Sequence, residues 1–165
     1  MPAVDELDVL PITVIDRLNS MRIHTSAREY LKAASDLFKY GWTDPIPPIV
    51  FLIGQSIELS FKAFLRGAGF TDSQLRTIKH DIEKAFRVAK ENGLEGHFNE
   101  EPDDLTIISL INSAYKSKDL QYVKTGMKTR PAVEPSLELA RRLNRSLKDF
   151  CVKNKDWHAG KPTSC

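Results

Sequence analysis

Apolar residues along this chain recur at the three-to-four spacing of helices, and no stretch shows the alternation of a half-buried strand. Ala27, Tyr30, Leu31, Ala34, Leu37 and Phe38 mark a first helix, opened by the capping-box pattern Ser26-Ala-Arg-Glu29 and ended by Gly41 and the prolines beyond it. A second helix runs from about Pro48 to Gly67 and is apolar on most of its surface, as a central helix should be. The next segment has two readings, helical from Ser73 or broken and restarted at His80-Asp81, with Ile82, Ala85, Phe86 and Ala89 as a buried stripe up to Asn92-Gly93. A fourth helix begins at Pro102-Asp103-Asp104. A fifth opens at Pro135 and carries Leu139, Ala140, Leu143, Leu147 and Phe150. The pattern predicts an all-α fold, an antiparallel bundle of four to five helices. It divides the chain into an arm (1–24), a bundle (25–152) and a polar tail (153–165).

The second helix holds the main tension. Gln55, Glu58, Lys62 and Arg66 fall on one narrow stripe at 100° per residue. Unpaired charge on a buried helix is too costly, so the stripe must be paired, line a cavity or meet a partner. Glu58 and Lys62 can form an i,i+4 ion pair that seats the helix or fixes a dimer register. Alternatively, Glu58 shares a polar pocket with His80, where a carboxylate would orient the imidazole and raise its basicity. His80 and Asp81 also read as a helix cap. A second stripe, Ser56, Ser60, Ala63 and Gly67, permits close helix approach, between two copies of the chain or within one.

Composition narrows the function classes. With 165 residues, 41% hydrophobic and 28% charged, the chain suits one globular domain. A net charge of +2 means that nucleic-acid binding must come from a local patch. Arg141, Arg142, Arg145 and Lys148 lie along the fifth helix as a solvated basic face or a phosphate-tracking one. Tyr122, Lys124 and Arg130, in the long loop before that helix, could extend it, Tyr122 by stacking. Cys151 and Cys165 form neither a CxxC nor a Cys/His cluster, and no carboxylate metal cluster or Gly-rich phosphate loop occurs. No metal or cofactor is expected. The acidic N-terminus lacks a signal-peptide pattern, and polar residues interrupt the apolar run of the second helix, so a cytoplasmic protein without a membrane span is expected.

The sequence Ile57-Glu-Leu-Ser-Phe-Lys-Ala-Phe-Leu65, followed by Lys79-His-Asp-Ile-Glu-Lys-Ala-Phe86, resembles the HEPN family over residues 26–150. The resemblance implies a helical bundle that dimerises and is associated with nucleotides or RNA. It also implies a place in toxin–antitoxin or phage-defence systems, with a nucleotidyltransferase-type protein as a candidate partner. Active members are metal-independent ribonucleases whose motif is Arg, four to six residues, then His. Arginine can hold a phosphate bidentately and histidine can act as acid or base. Arg76 and His80 are separated by only three residues, whereas Arg17 and His24 fit the spacing but lie in the predicted arm. The expectation is therefore a module that binds without cleaving. The alternatives are a ribonuclease using Arg76 and His80 with Glu58, or a structural interaction domain.

Overall fold

The computed structural model describes residues 19–40, 47–116 and 131–155, which are helical with no strand among them. The helices are α1 (Ser20–Lys39), α2 (Pro47–Gly67), α3 (Asp72–Ile78), α4 (Ile82–Glu91), α5 (Asp104–Lys116) and α6 (Val133–Lys153). A 3₁₀ turn, Leu94–Gly96, sits between α4 and α5. The all-α class holds. The described helices number six rather than four or five, because both readings of the segment after Gly67 are realised: it forms one short helix and then restarts.

α2 is the centre of the molecule and packs against each of the other described helices. Ile49, Ile53, Ile57, Phe61, Phe64 and Leu65 are all buried along it. The Phe61 ring lies 5.4 Å from that of Phe86 on α4, and Phe64 lies 4.8 Å from Phe150 on α6. By composition α2 is long and apolar enough to cross a membrane, but 67% of its apolar window is buried inside the bundle, which is the mark of a core helix.

The first helix starts earlier than the Ser26 capping pattern predicts. The Asn19 side chain accepts from the Arg22 N–H at 2.9 Å and caps α1 there, so Ser20–His24, read as the end of the arm, are helical. Tertiary contacts favour the earlier start. The Ser20 hydroxyl donates to the Ala63 carbonyl at 2.7 Å, Ile23 is in the core, and His24 Nε2 lies 2.8 Å from the Asn144 carbonyl oxygen. α6 likewise begins at Val133, which places Pro135 inside the first turn, where its missing N–H costs nothing.

The small-residue stripe of α2 is used up within the chain. Asn144 on α6 donates its amide to the Ser56 and Ser60 hydroxyls at 3.2 and 3.0 Å. A methyl group on Gly67 would stand 2.6 Å from Phe150 and 3.0 Å from the Ser20 hydroxyl. Ser56, Ser60, Ala63 and Gly67 thus seat α1 and α6 on α2 and offer nothing to a second copy.

Candidate functional site

Glu58 is 2% exposed, and a carboxylate at that depth needs donors. One turn on along α2, Lys62 Nζ approaches Oε1 to 2.5 Å. His80 Nδ1 lies 3.2 and 3.3 Å from the two carboxylate oxygens. Tyr115 on α5 stands close enough to Glu58 to feel its charge, and its oxygen accepts from the Gln55 amide. Burial, then the negative charge of Glu58, pushes the Tyr115 hydroxyl far above its ordinary range, so it stays protonated. The ion pair and the shared pocket predicted as alternatives for Glu58 are both present.

His80 reaches Glu58 because the backbone turns sharply before it. Lys79 has φ 56° and ψ −135°, the angles of the first central residue of a type II′ turn, which favours glycine. The Asp81 N–H reaches back to the Ile78 carbonyl at 3.4 Å. Such a strained residue persists only where its surroundings hold it. Lys62 Nζ donates to the Lys79 carbonyl at 2.8 Å, and Lys84 Nζ donates to the Thr77 carbonyl at 2.9 Å. The Asp81 side chain then caps α4 by accepting from the Lys84 N–H at 3.0 Å. Lys116 pairs with Asp81 at 2.6 Å. Burial raises the Asp81 carboxyl, but hydrogen bonds from Lys116, the Lys84 backbone and Asn112 outweigh it and hold the group below the ordinary carboxylate range.

Beside this network lies an open cleft of about 700 Å³ between α2, the α3–α4 turn and the end of α5. Phe51 and Tyr115, stacked with ring centroids 5.6 Å apart, supply an aromatic wall. Lys79, Lys84 and Lys116 contribute to its polar lining, together with His80, whose side chain is 74% exposed. Sequence reasoning missed Phe51, Tyr115, Lys79, Lys84 and Lys116. The available signal was the Gln55–Glu58–Lys62 stripe itself, which pointed at a cavity without naming its far wall.

The predicted arginines do not gather here. Arg76 is exposed on α3, does not line the cleft, and has no side-chain partner among the described residues. Because the helix breaks at Lys79, Arg76 and His80 do not share a helical face. The Arg17–His24 alternative also loses its histidine: His24 is 3% exposed and tied to α6, while Arg17 lies outside the described residues. Tyr122, Lys124 and Arg130 lie outside them too.

The basic face of α6 is smaller than its sequence implies. Arg142 forms ion pairs with Asp104 and with Glu101, the latter at 3.3 Å, and its guanidinium sits 5.5 Å from the Phe98 ring centre. It therefore locks α6 to the start of α5 rather than facing a ligand. Arg141 keeps a loose pair with Glu138 at 3.6 Å, and Arg145 and Lys148 are exposed with no partner among the described residues. Burial pushes the Cys151 thiol up to about 11, which leaves it a core residue rather than a nucleophile. Among the described residues no group of three or more His, Cys, Asp or Glu side chains is placed to hold a metal ion.

The model of the HEPN domain matches residues 21–150, most of the chain. The chain belongs to the HEPN family. The match begins one residue into α1 and ends within α6, so it reaches all six described helices and includes the cleft beside His80. No curated protein and no solved structure matches the chain significantly.

Proposed function

We propose that this HEPN domain is a nucleotide- or RNA-associated module that binds without cleaving. The observation that carries the reading is the composition of the cleft: it offers an aromatic wall and lysines, with no arginine lining it beside His80 among the described residues. Metal-independent RNA cleavage asks for a group that holds the phosphate and stabilises developing charge next to the acid or base. Here the nearest arginine in sequence, Arg76, lies across a helix break. Arg141, Arg145 and Lys148 add a solvent-facing cationic strip suited to a phosphate backbone.

The Glu58–His80 hydrogen bonds favour a second reading, a ribonuclease in which Glu58 orients His80 and Arg76 comes to the substrate by a rearrangement of α3. Incubation with single-stranded RNA in EDTA separates the two: the binding reading expects complex formation and intact RNA. Replacing Arg141 and Arg145 together by alanine should weaken RNA binding and flatten its salt dependence by about one to two units in log–log slope. Replacing Arg142 should instead cost stability.

The homodimer, a nucleotidyltransferase-type partner and a role in toxin–antitoxin or phage defence rest on what family membership implies, and a cytoplasmic location rests on the sequence pattern alone. Light scattering tests the first, and an adjacent nucleotidyltransferase gene would support the partner and the defence role.

A further inference from the structure

We infer that the α2–α5 cleft is a subsite for a nucleotide carrying a terminal phosphate monoester, with the base against Tyr115 and the phosphate among Lys79, Lys84 and Lys116. The inference rests on the binding reading above and names the ligand class for this cleft.

Charge is the first argument. Glu58 and Lys62 compensate each other at 2.5 Å. Neither lines the cleft, and of the carboxylate and ammonium groups that do, Lys79, Lys84 and Lys116 stand against Asp81 alone and leave a formal excess of two positive charges. A phosphate monoester carries about −1.5 to −2 near neutral pH, whereas each phosphodiester of an RNA backbone carries only one charge. The cleft is thus matched to a chain end or a mononucleotide more closely than to an internal linkage.

Donor supply is the second. Each lysine ammonium has three hydrogens. Lys84 spends one on the Thr77 carbonyl and Lys116 one on Asp81. The Lys79 ammonium has no hydrogen bond or ion pair among the described residues. His80 is fixed by Glu58 through Nδ1, and its Nε2 has no partner there either. Several donors are therefore placed by existing contacts yet still open to a ligand, which lowers the cost of ordering them.

The aromatic wall is the third. Phe51 and Tyr115 present stacked rings in the same cleft, and the Tyr115 hydroxyl is anchored by the Gln55 amide. A fixed ring takes a base of any identity by stacking. The strained turn supports the assignment as well: Lys79 occupies a glycine-favoured conformation, and as lysine it supplies a cation that glycine would not.

Calorimetry at low salt with uridine 5′-monophosphate, uridine, inorganic phosphate and a hydroxyl-ended oligouridylate tests this. The monophosphate should bind at least about tenfold more tightly than uridine or phosphate, since only it engages both walls. Lys79→Gly should weaken monophosphate binding about three- to tenfold without lowering the thermal midpoint, which separates loss of the ammonium from loss of the fold. Tyr115→Leu should bring the monophosphate down toward phosphate. Equal affinity for monophosphate and uridine, with the oligonucleotide still bound, overturns the inference and leaves the binding reading standing. Phosphate binding as tight as the monophosphate overturns the nucleotide assignment, and so does an unchanged monophosphate affinity in both variants. If neither the oligonucleotide nor the monophosphate binds, the inference and the binding reading fall together.

Discussion

Glu58 is the residue on which the site depends, because one buried carboxylate collects Lys62 and His80. Glu58→Ala would leave the Lys62 ammonium, only 17% exposed, without its counter-charge. Breaking a buried pair costs about 3–5 kcal/mol, and Lys62 can turn partly to water, so a loss of about 2–4 kcal/mol is expected in chemical denaturation. His80→Ala should cost less than about 1 kcal/mol, since that side chain is mostly in solvent. Comparable losses for the two variants would contradict the view that Glu58 organises and His80 merely docks. Lys79→Gly should leave stability unchanged or raise it by up to about 1 kcal/mol, because glycine relieves the positive φ. A marked loss would show that the turn is held by the lysine side chain rather than by the contacts around it.

At the scale of elements, sequence patterns located the helices better than their ends. The apolar spacing of 27–38, 49–65 and 139–150 marked α1, α2 and α6, because burial on one face leaves a periodic record. The α1 start was misplaced because Ser26-Ala-Arg-Glu29 is a locally good cap, whereas the winning cap at Asn19 is backed by Ser20 and His24 contacts to α2 and α6 that no local pattern reveals. Arg142 was grouped with its basic neighbours for the same reason: its partners Asp104 and Glu101 lie 38 and 41 positions away. Close packing between elements makes a direct prediction at Gly67. The added methyl of Gly67→Ala would press on Phe150 at 2.6 Å, and overpacking of this kind costs about 1–3 kcal/mol. An unchanged melting temperature would mean that α6 can shift away freely.

Asp81 links the element scale to pH. Its carboxyl is held below its ordinary value in the folded chain, so it contributes stability that is fully present above the unfolded-state value and is lost as pH falls through the lower folded one. Acid titration should therefore loosen α4 at its cap below about pH 4, and Asp81→Asn should flatten that part of the stability curve. A curve that keeps its slope in the variant would assign the acid sensitivity to other carboxylates.

For the whole molecule, the bundle and its family were legible because the α2 pattern and Lys79-His-Asp81 combine periodicity with fixed chemistry. The cleft was only half legible. Glu58, Lys62 and His80 were visible as a constellation, while the wall formed by Phe51, Tyr115 and Lys116 needed the packing of α5 on α2 to appear. That packing brings an aromatic wall and lysines to His80 and leaves Arg76 outside, which is the physical argument behind the proposal of binding without cleavage. The most direct test is to incubate the wild-type chain with end-labelled single-stranded RNA in EDTA across about pH 6 to 8, where an unperturbed histidine changes charge, and to follow complex and cleavage in the same samples. The account predicts retarded, full-length RNA at every pH. EDTA-resistant cleavage by the wild type that disappears in a folded His80→Ala variant would contradict it.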